Sequence, residues 1–155
     1  MNLEDTLMQL CLKHDLTLGL AESCTGGAFA ARITQLPGAS HYFAGSIVSY
    51  QNAIKIKVLG VPEALLQNQG SVSEAVAQEM LKGALRVLGT DLALAITGVA
   101  GPEGGTPKTP LGTIYIACGG KKVSTEVKHF QLQGSRAVII QEAIDKGLEQ
   151  LIKLI

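Results

Sequence analysis

Aromatic side chains are scarce: three Tyr, three Phe and no Trp among 155 residues. Their shortage removes the stacking platforms of single-strand nucleic-acid binders and the interfacial belts of membrane proteins. No stretch approaches the roughly 20 apolar residues that a spanning helix needs. Cysteines number three, Cys11, Cys24 and Cys118, with no CxxC pair. That odd set suits neither a disulfide framework nor a zinc knuckle and points to a reducing compartment. No HxxxH, HExxH or acidic cluster offers a metal site, so no metal is expected. Charge of one sign is also missing: 13 basic residues balance 13 acidic ones, dispersed along the chain. Without a basic stripe, a nucleic-acid partner is not expected. The opening MNLEDTLMQLCLKHD carries acidic residues and a broken apolar pattern, unlike a signal peptide. The expected setting is soluble and cytoplasmic, away from any membrane.

What is present is a 46% apolar chain with 18 glycines. Its length suits one domain over residues 1–155, with a core that needs no staples. Leu3, Leu7, Met8, Leu10 and Cys11 predict a helix over about 2–14, and LTLGLA a buried strand after it. ESCTGG (22–27) then sits at a strand-to-helix turn, and AFAARITQL continues as helix until Pro37-Gly38. YFAGSIVSY (42–50) reads as a strand and NAIKIKVLGV as a short helix. Ser71 or Ser73 can cap a helix over about 73–89, with Glu74 and Glu79 early and Lys82 and Arg86 late. DLALAIT is an apolar strand, and LGTIYIACGG with KKVSTEVKHFQ predicts a hairpin turning near Gly119-Gly120. Gly134-Ser135 opens a last helix with Val138, Ile139, Ala143, Ile144, Leu148, Leu151 and Ile152 facing the core.

The first three of these five strands look apolar enough to be covered on both faces. Interleaved helices then imply an α/β fold, a three-layer α/β/α sandwich on a mixed five-stranded sheet. Ligands of open sheets bind at the carboxyl ends of strands, so ESCTGG and TGVAG should line one crevice. The loop GVAGPEGGTPKTP (98–110), with four glycines and three prolines, is about twice the usual connection and reads as functional.

Several side chains could carry chemistry. Ser23, Cys24, Thr25, Gly26 and Gly27 suit an anion at a helix N-terminus, and equally a capped helix whose glycines only ease packing. Cys24 could be a nucleophile if the helix start lowers its pKa. His14, His41 and His129 have no spacing that singles out a partner for it. Lys55, flanked by Ile54 and Ile56, could be buried enough to lose its proton near neutrality and serve Ser40 as a base; a snorkelling lysine and a turn serine fit the same spacing.

AESCTGG (21–27), LPGAS (36–40), FAGSIVSYQNAIKIKVLGV (43–61) and TGVAGPEGGTPKTPLGTIYIA (97–117), in this order, resemble the CinA C-terminal domain family, the nicotinamide-nucleotide amidases, in standalone form. The resemblance implies a hydrolase that releases ammonia from nicotinamide mononucleotide in pyridine-nucleotide salvage, without a cofactor. It implies a Ser-Lys dyad, with the nucleophile on Ser40, the base on Lys55 and supporting hydroxyls on Tyr50 and Thr97. Candidate holders of the nucleotide are Ser23 to Gly27, Gly98, Gly101, Gly104, Gly105 and Arg136.

The chain departs from the family pattern where Gly134-Ser135-Arg136 replaces Gly-Asp-Arg, at Ser46, often a glycine, and at Gln51, often a serine. The larger N-terminal domain of many relatives is not expected here, nor its pyrophosphatase activity. Two other readings remain: a noncatalytic nucleotide-binding or regulatory module of the same fold, and a cysteine amidohydrolase built on Cys24. A homo-oligomer, most simply a dimer, is the expected assembly.

Overall fold

The computed structural model describes residues 1–155. Strands β1 (Leu18–Glu22), β2 (Phe43–Val48), β3 (Leu92–Gly98), β4 (Thr113–Gly120) and β5 (Glu126–Gln131) form one sheet in the order β2-β1-β3-β4-β5. β1 runs parallel to both neighbours, while β4 and β5 pair antiparallel, so the sheet is mixed as expected. Six helices complete the fold: α1 (Leu3–Lys13), α2 (Ala28–Thr34), α3 (Asn52–Lys57), α4 (Glu63–Gln69), α5 (Glu74–Leu88) and α6 (Arg136–Leu154).

The strand period of two sorts the core into two chemistries. Leu18, Leu20, Leu92, Leu94, Ile96, Ile114 and Ile116 share one cluster with Leu7 and Cys11 of α1, Phe29 and Ile33 of α2, and the buried stripe of α6. The alternate positions Ala21, Ala93, Ala95 and Ala117 meet Val76, Met80, Leu81 and Ala84 of α5. Alanines on that face let α5 lie close across the strands. Gly83 serves the same end where α5 meets the Leu59 turn, since a Cβ there would collide with the backbone of Leu59.

Caps define the long helices. Ser73 accepts from Val76 N at 3.1 Å to start α5, and Gly89, in the left-handed region at φ 65°, ends it. Ser135 accepts from Val138 N at 3.3 Å to start α6.

Four expectations are corrected. Helix α4 was not foreseen, because EALLQNQ shows one turn of apolar residues and no side-chain cap. β2 is an edge strand, only partly covered, so two of the first three strands rather than all three are buried on both faces. The hairpin turns at residues 121–125, since Gly119 and Gly120 still pair with Ala93 and Leu92 in the ladder. Val138 is exposed, lying over Gly134 at the start of α6 instead of facing the core. No helix is long and apolar enough to cross a membrane.

Candidate active site

The carboxyl ends of β1 and β3 open into a crevice of about 360 Å³. Ser23 and Cys24 line it from β1, and Gly98 to Gly101 from β3. The two motifs therefore share one cavity, as the rule for open sheets requires. Tyr50 and Arg136 close its sides. Gln69 to Val72, Glu103, Gly104, Thr106 and Thr109, most of which the sequence did not single out, complete the wall.

Glu22 organises this end of β1 and was not anticipated as a functional residue. Fully buried, its carboxylate accepts from Thr25 Oγ1 at 2.6 Å and Ser46 Oγ at 2.7 Å. It also accepts from the amides of Phe29 at 2.9 Å, Gly27 at 3.2 Å and Ala30 at 3.3 Å. The first turn of α2 is thus filled by the protein's own anion, which satisfies donors that a helix start otherwise leaves free. The phosphate reading of this turn is corrected accordingly. Thr25, Gly26 and Gly27 do not line the crevice, and only Ser23 and Cys24 of that motif do. Ser46, the departure from the family's glycine, supplies one of the five donors. A glutamate at a strand end just ahead of a short helix is the signal that could have revealed it.

Between Glu22 and α2, the amides of Cys24 and Thr25 donate to no protein acceptor. The hydroxyl of Ser23 likewise makes no hydrogen bond within the protein. A crevice-lining hydroxyl followed by two unspent amides is the local arrangement that acyl transfer uses for a nucleophile and its oxyanion.

Lys55 is 1% exposed, so the snorkelling account does not hold. Its Nζ donates to the carbonyl of Ser49 at 2.7 Å and of Tyr50 at 3.3 Å. Burial lowers its pKa from 10.5 to about 8, opposed by a weaker interaction with Cys24. A neutral amine has two N–H donors and one lone pair. Both donors have carbonyl partners here, which leaves the lone pair to accept a proton. Ser49 is itself tied to Glu22, donating its N–H and its hydroxyl to the Glu22 carbonyl at 2.8 and 3.1 Å. Lys55 and the Ser23-Cys24 turn therefore hang on one residue of β1.

Ser40 does not join them. It lies in a short 3-10 turn, Ala39–His41, ahead of β2, whereas the amine of Lys55 meets carbonyls beyond the far end of that strand. Six strand residues at about 3.3 Å each put roughly 20 Å between the two ends. Ser40 lines a separate shallow groove with Pro37, Gly38 and Phe43. The Ser40-Lys55 dyad that the family resemblance implied is corrected on this geometry, because the intervening strand separates the two residues.

The remaining candidates divide. Tyr50 lines the crevice and its hydroxyl accepts from Arg136 Nη2 at 3.0 Å, while Arg136 Nη1 donates to the Gly101 carbonyl at 2.8 Å. Thr97 is wholly buried and donates to the Ser71 carbonyl at 2.8 Å, so it anchors the Ser71-Val72 wall and does not bond Lys55. Gly105 lies outside the lining. The Gly-Ser-Arg departure leaves its local structure intact, because Ser135 caps α6 as an aspartate would. The thiol of Cys24 is pushed up to about 12, chiefly by burial, with the Glu22 charge adding to it. The thiolate expected at a helix start is thereby disfavoured.

The molecule is thus an α/β/α sandwich with a polar crevice at the carboxyl ends of β1 and β3. The chain belongs to the CinA family, matching its CinA C-terminal domain over residues 1–155. Among similar proteins is a CinA-like protein of Citrifermentans bemidjiense, 48% identical over 134 residues, covering 86% of this chain and 32% of that protein. Another from Geobacter metallireducens is 46% identical with the same coverage. The chain spans about a third of the length of these curated relatives. Among solved structures, a CinA superfamily protein of Escherichia coli superposes with a TM-score of 0.94 at 33% identity, covering 99% of this chain and 89% of that one. The competence damage-inducible protein A of Klebsiella pneumoniae gives 0.94 at 32%, covering 97% and 93%.

Proposed function

We propose that this domain is an amidohydrolase that converts nicotinamide mononucleotide to nicotinate mononucleotide and ammonia, with Lys55 as base and Ser23, in place of Ser40, as nucleophile. The observation that carries this reading is Lys55: buried, with a pKa near 8 and with both amine donors engaged by the carbonyls of Ser49 and Tyr50.

Lys55 takes the proton of Ser23, whose Oγ attacks the carboxamide carbon. The developing oxyanion takes hydrogen bonds from the amides of Cys24 and Thr25. Collapse breaks the C–N bond, and the Lys55 ammonium returns its proton to the departing nitrogen as ammonia leaves. Water, deprotonated by the same amine, then attacks the Ser23 ester, and the Lys55 ammonium returns that proton to Ser23 Oγ as the C–O bond breaks and nicotinate mononucleotide leaves. Arg136, held at the crevice mouth by Tyr50 and Gly101, takes the phosphate.

Incubation with nicotinamide mononucleotide and measurement of ammonia tests the proposal. Ser23→Ala and Lys55→Met should each lower release at least a hundredfold, on the usual scale for a nucleophile or base, and Ser40→Ala should leave it within twofold of the parent. Full release by Ser23→Ala would overturn the mechanism, and no release by the parent would overturn the reaction.

A further inference from the structure

Two charged side chains line the crevice, Arg136 and Glu103, and they do not pair with each other. Arg136 is bound by neutral groups only, the Tyr50 hydroxyl and the Gly101 carbonyl. Glu103 makes no hydrogen bond or ion pair at all, although the Arg136 bond to Gly101 fixes the loop two residues before it. The crevice of about 360 Å³ is thus lined by one cationic and one acidic residue, both solvent-exposed and neither in an ion pair. Opposite charges that face a shared cavity without meeting match a ligand carrying both signs, since each end then finds a counter-charge that the protein leaves unspent. A singly charged ligand would satisfy only one of them.

We infer that Glu103 is a specificity-determining residue that selects ligands bearing a positive ring, opposite an anionic group on Arg136. This rests on the proposed function, and in its terms the ligand is a nucleotide whose N-glycosylated pyridine ring is cationic. Glu103 then distinguishes the oxidised pyridinium from the neutral dihydropyridine of the same nucleotide, two molecules of nearly the same shape. Carboxylate and ring interact as charges across a partly solvated cleft. Such exposed pairs contribute up to about 1 kcal/mol, equivalent to roughly a fivefold change in affinity.

Equilibrium binding measured by calorimetry on the Ser23→Ala protein, which holds the ligand without turnover, supplies the test. Nicotinamide mononucleotide should bind about three- to fivefold more tightly than its dihydro form, at the exposed-pair scale. Adding Glu103→Gln should weaken the oxidised ligand by that factor and leave the dihydro ligand unchanged. Adding Arg136→Met should weaken both. Equal affinity for the two ligands, or an equal loss of both on Glu103→Gln, would overturn the role of Glu103 while leaving the proposed substrate standing. Binding of neither ligand to the Ser23→Ala protein or its parent would overturn the substrate itself and this inference with it. Because Glu103 is exposed on its loop, its replacement does not threaten folding.

Discussion

The amine of Lys55 lies 2.7 Å from the carbonyl oxygen of Ser49, inside the protein and without a carboxylate partner. A buried lysine without a counter-ion favours its neutral form, and this single relationship sets two pH dependences. In the proposed mechanism the base is the free amine, so kcat/KM should rise with pH and level off above about 8. A profile already flat at pH 6 would show that the group is not the base.

Stability follows the same proton. The folded protein releases it near pH 8 and the unfolded chain near 10.5, so between those values the unfolded state binds more protons and stability rises with pH. The shift of about 2.5 is worth on the order of 3 kcal/mol across that window, and below pH 8 the whole penalty is present. Urea unfolding of the parent and of Lys55→Met at pH 8 and pH 10 checks this. The parent should gain relative to the variant, and a constant difference between them would rule the shift out.

Glu22 governs a third prediction. Its carboxylate meets five donors, and removing it leaves the first amides of α2 without acceptors inside the protein. Glu22→Ala should cost about 3 kcal/mol, at the scale for an unpaired buried polar cluster, and should lower ammonia release through the displaced Ser23 turn. Ser46→Gly removes one donor of the five and should cost about 1 kcal/mol. In the double variant the Ser46 effect should vanish, because its acceptor is gone. Additive losses in chemical denaturation would mean that Ser46 acts elsewhere.

How far the sequence could be read depends on whether the deciding contact is local. The sandwich was legible because Leu18, Leu20, Leu92 and Leu94 alternate with small residues at strand period, and because Ser73 and Ser135 cap with donors three residues away. The shared crevice followed from strand ends alone. Ile54 and Ile56 beside Lys55 fit burial and snorkelling equally, and only the structure, with Lys55 1% exposed, separates the two. The separation of Lys55 from Ser40 was not legible, since the two are near in the chain but lie at opposite ends of β2, whereas the parallel pairing of β1 with β2 brings Ser49, the partner of Lys55, onto the Glu22 carbonyl. The Glu22 cluster stayed hidden for the same reason: its donor Ser46 is 24 residues away and meets it only in the sheet.

Gly83 offers a test in which two effects have opposite sign. Alanine is the better helix former by about 1 kcal/mol, so propensity alone predicts that Gly83→Ala stabilises α5. A Cβ at this position meets the carbonyl of Leu59, a backbone group that cannot rotate away, and the whole α5 contact must open. Overpacking of this kind costs typically 1–3 kcal/mol or more, which outweighs propensity. The expected result is a net loss of about 1–2 kcal/mol in urea unfolding. An unchanged or raised midpoint would show that α5 shifts freely over the Leu59 turn.

Cys24 lies beside the proposed nucleophile, so the two must be separated by chemistry. With its thiol pushed up to about 12, roughly 1 in 100,000 molecules carries the thiolate at pH 7, far fewer than for an ordinary cysteine. Burial at 7% exposure slows reagents further. Iodoacetamide at neutral pH should therefore modify Cys24 slowly, and Cys24→Ser should keep ammonia release within a few-fold of the parent. The amide of residue 24 is still present in that variant, so the oxyanion contact survives the change of side chain. Rapid alkylation at Cys24, or loss of turnover in Cys24→Ser as complete as in Ser23→Ala, would transfer the nucleophile from oxygen to sulfur.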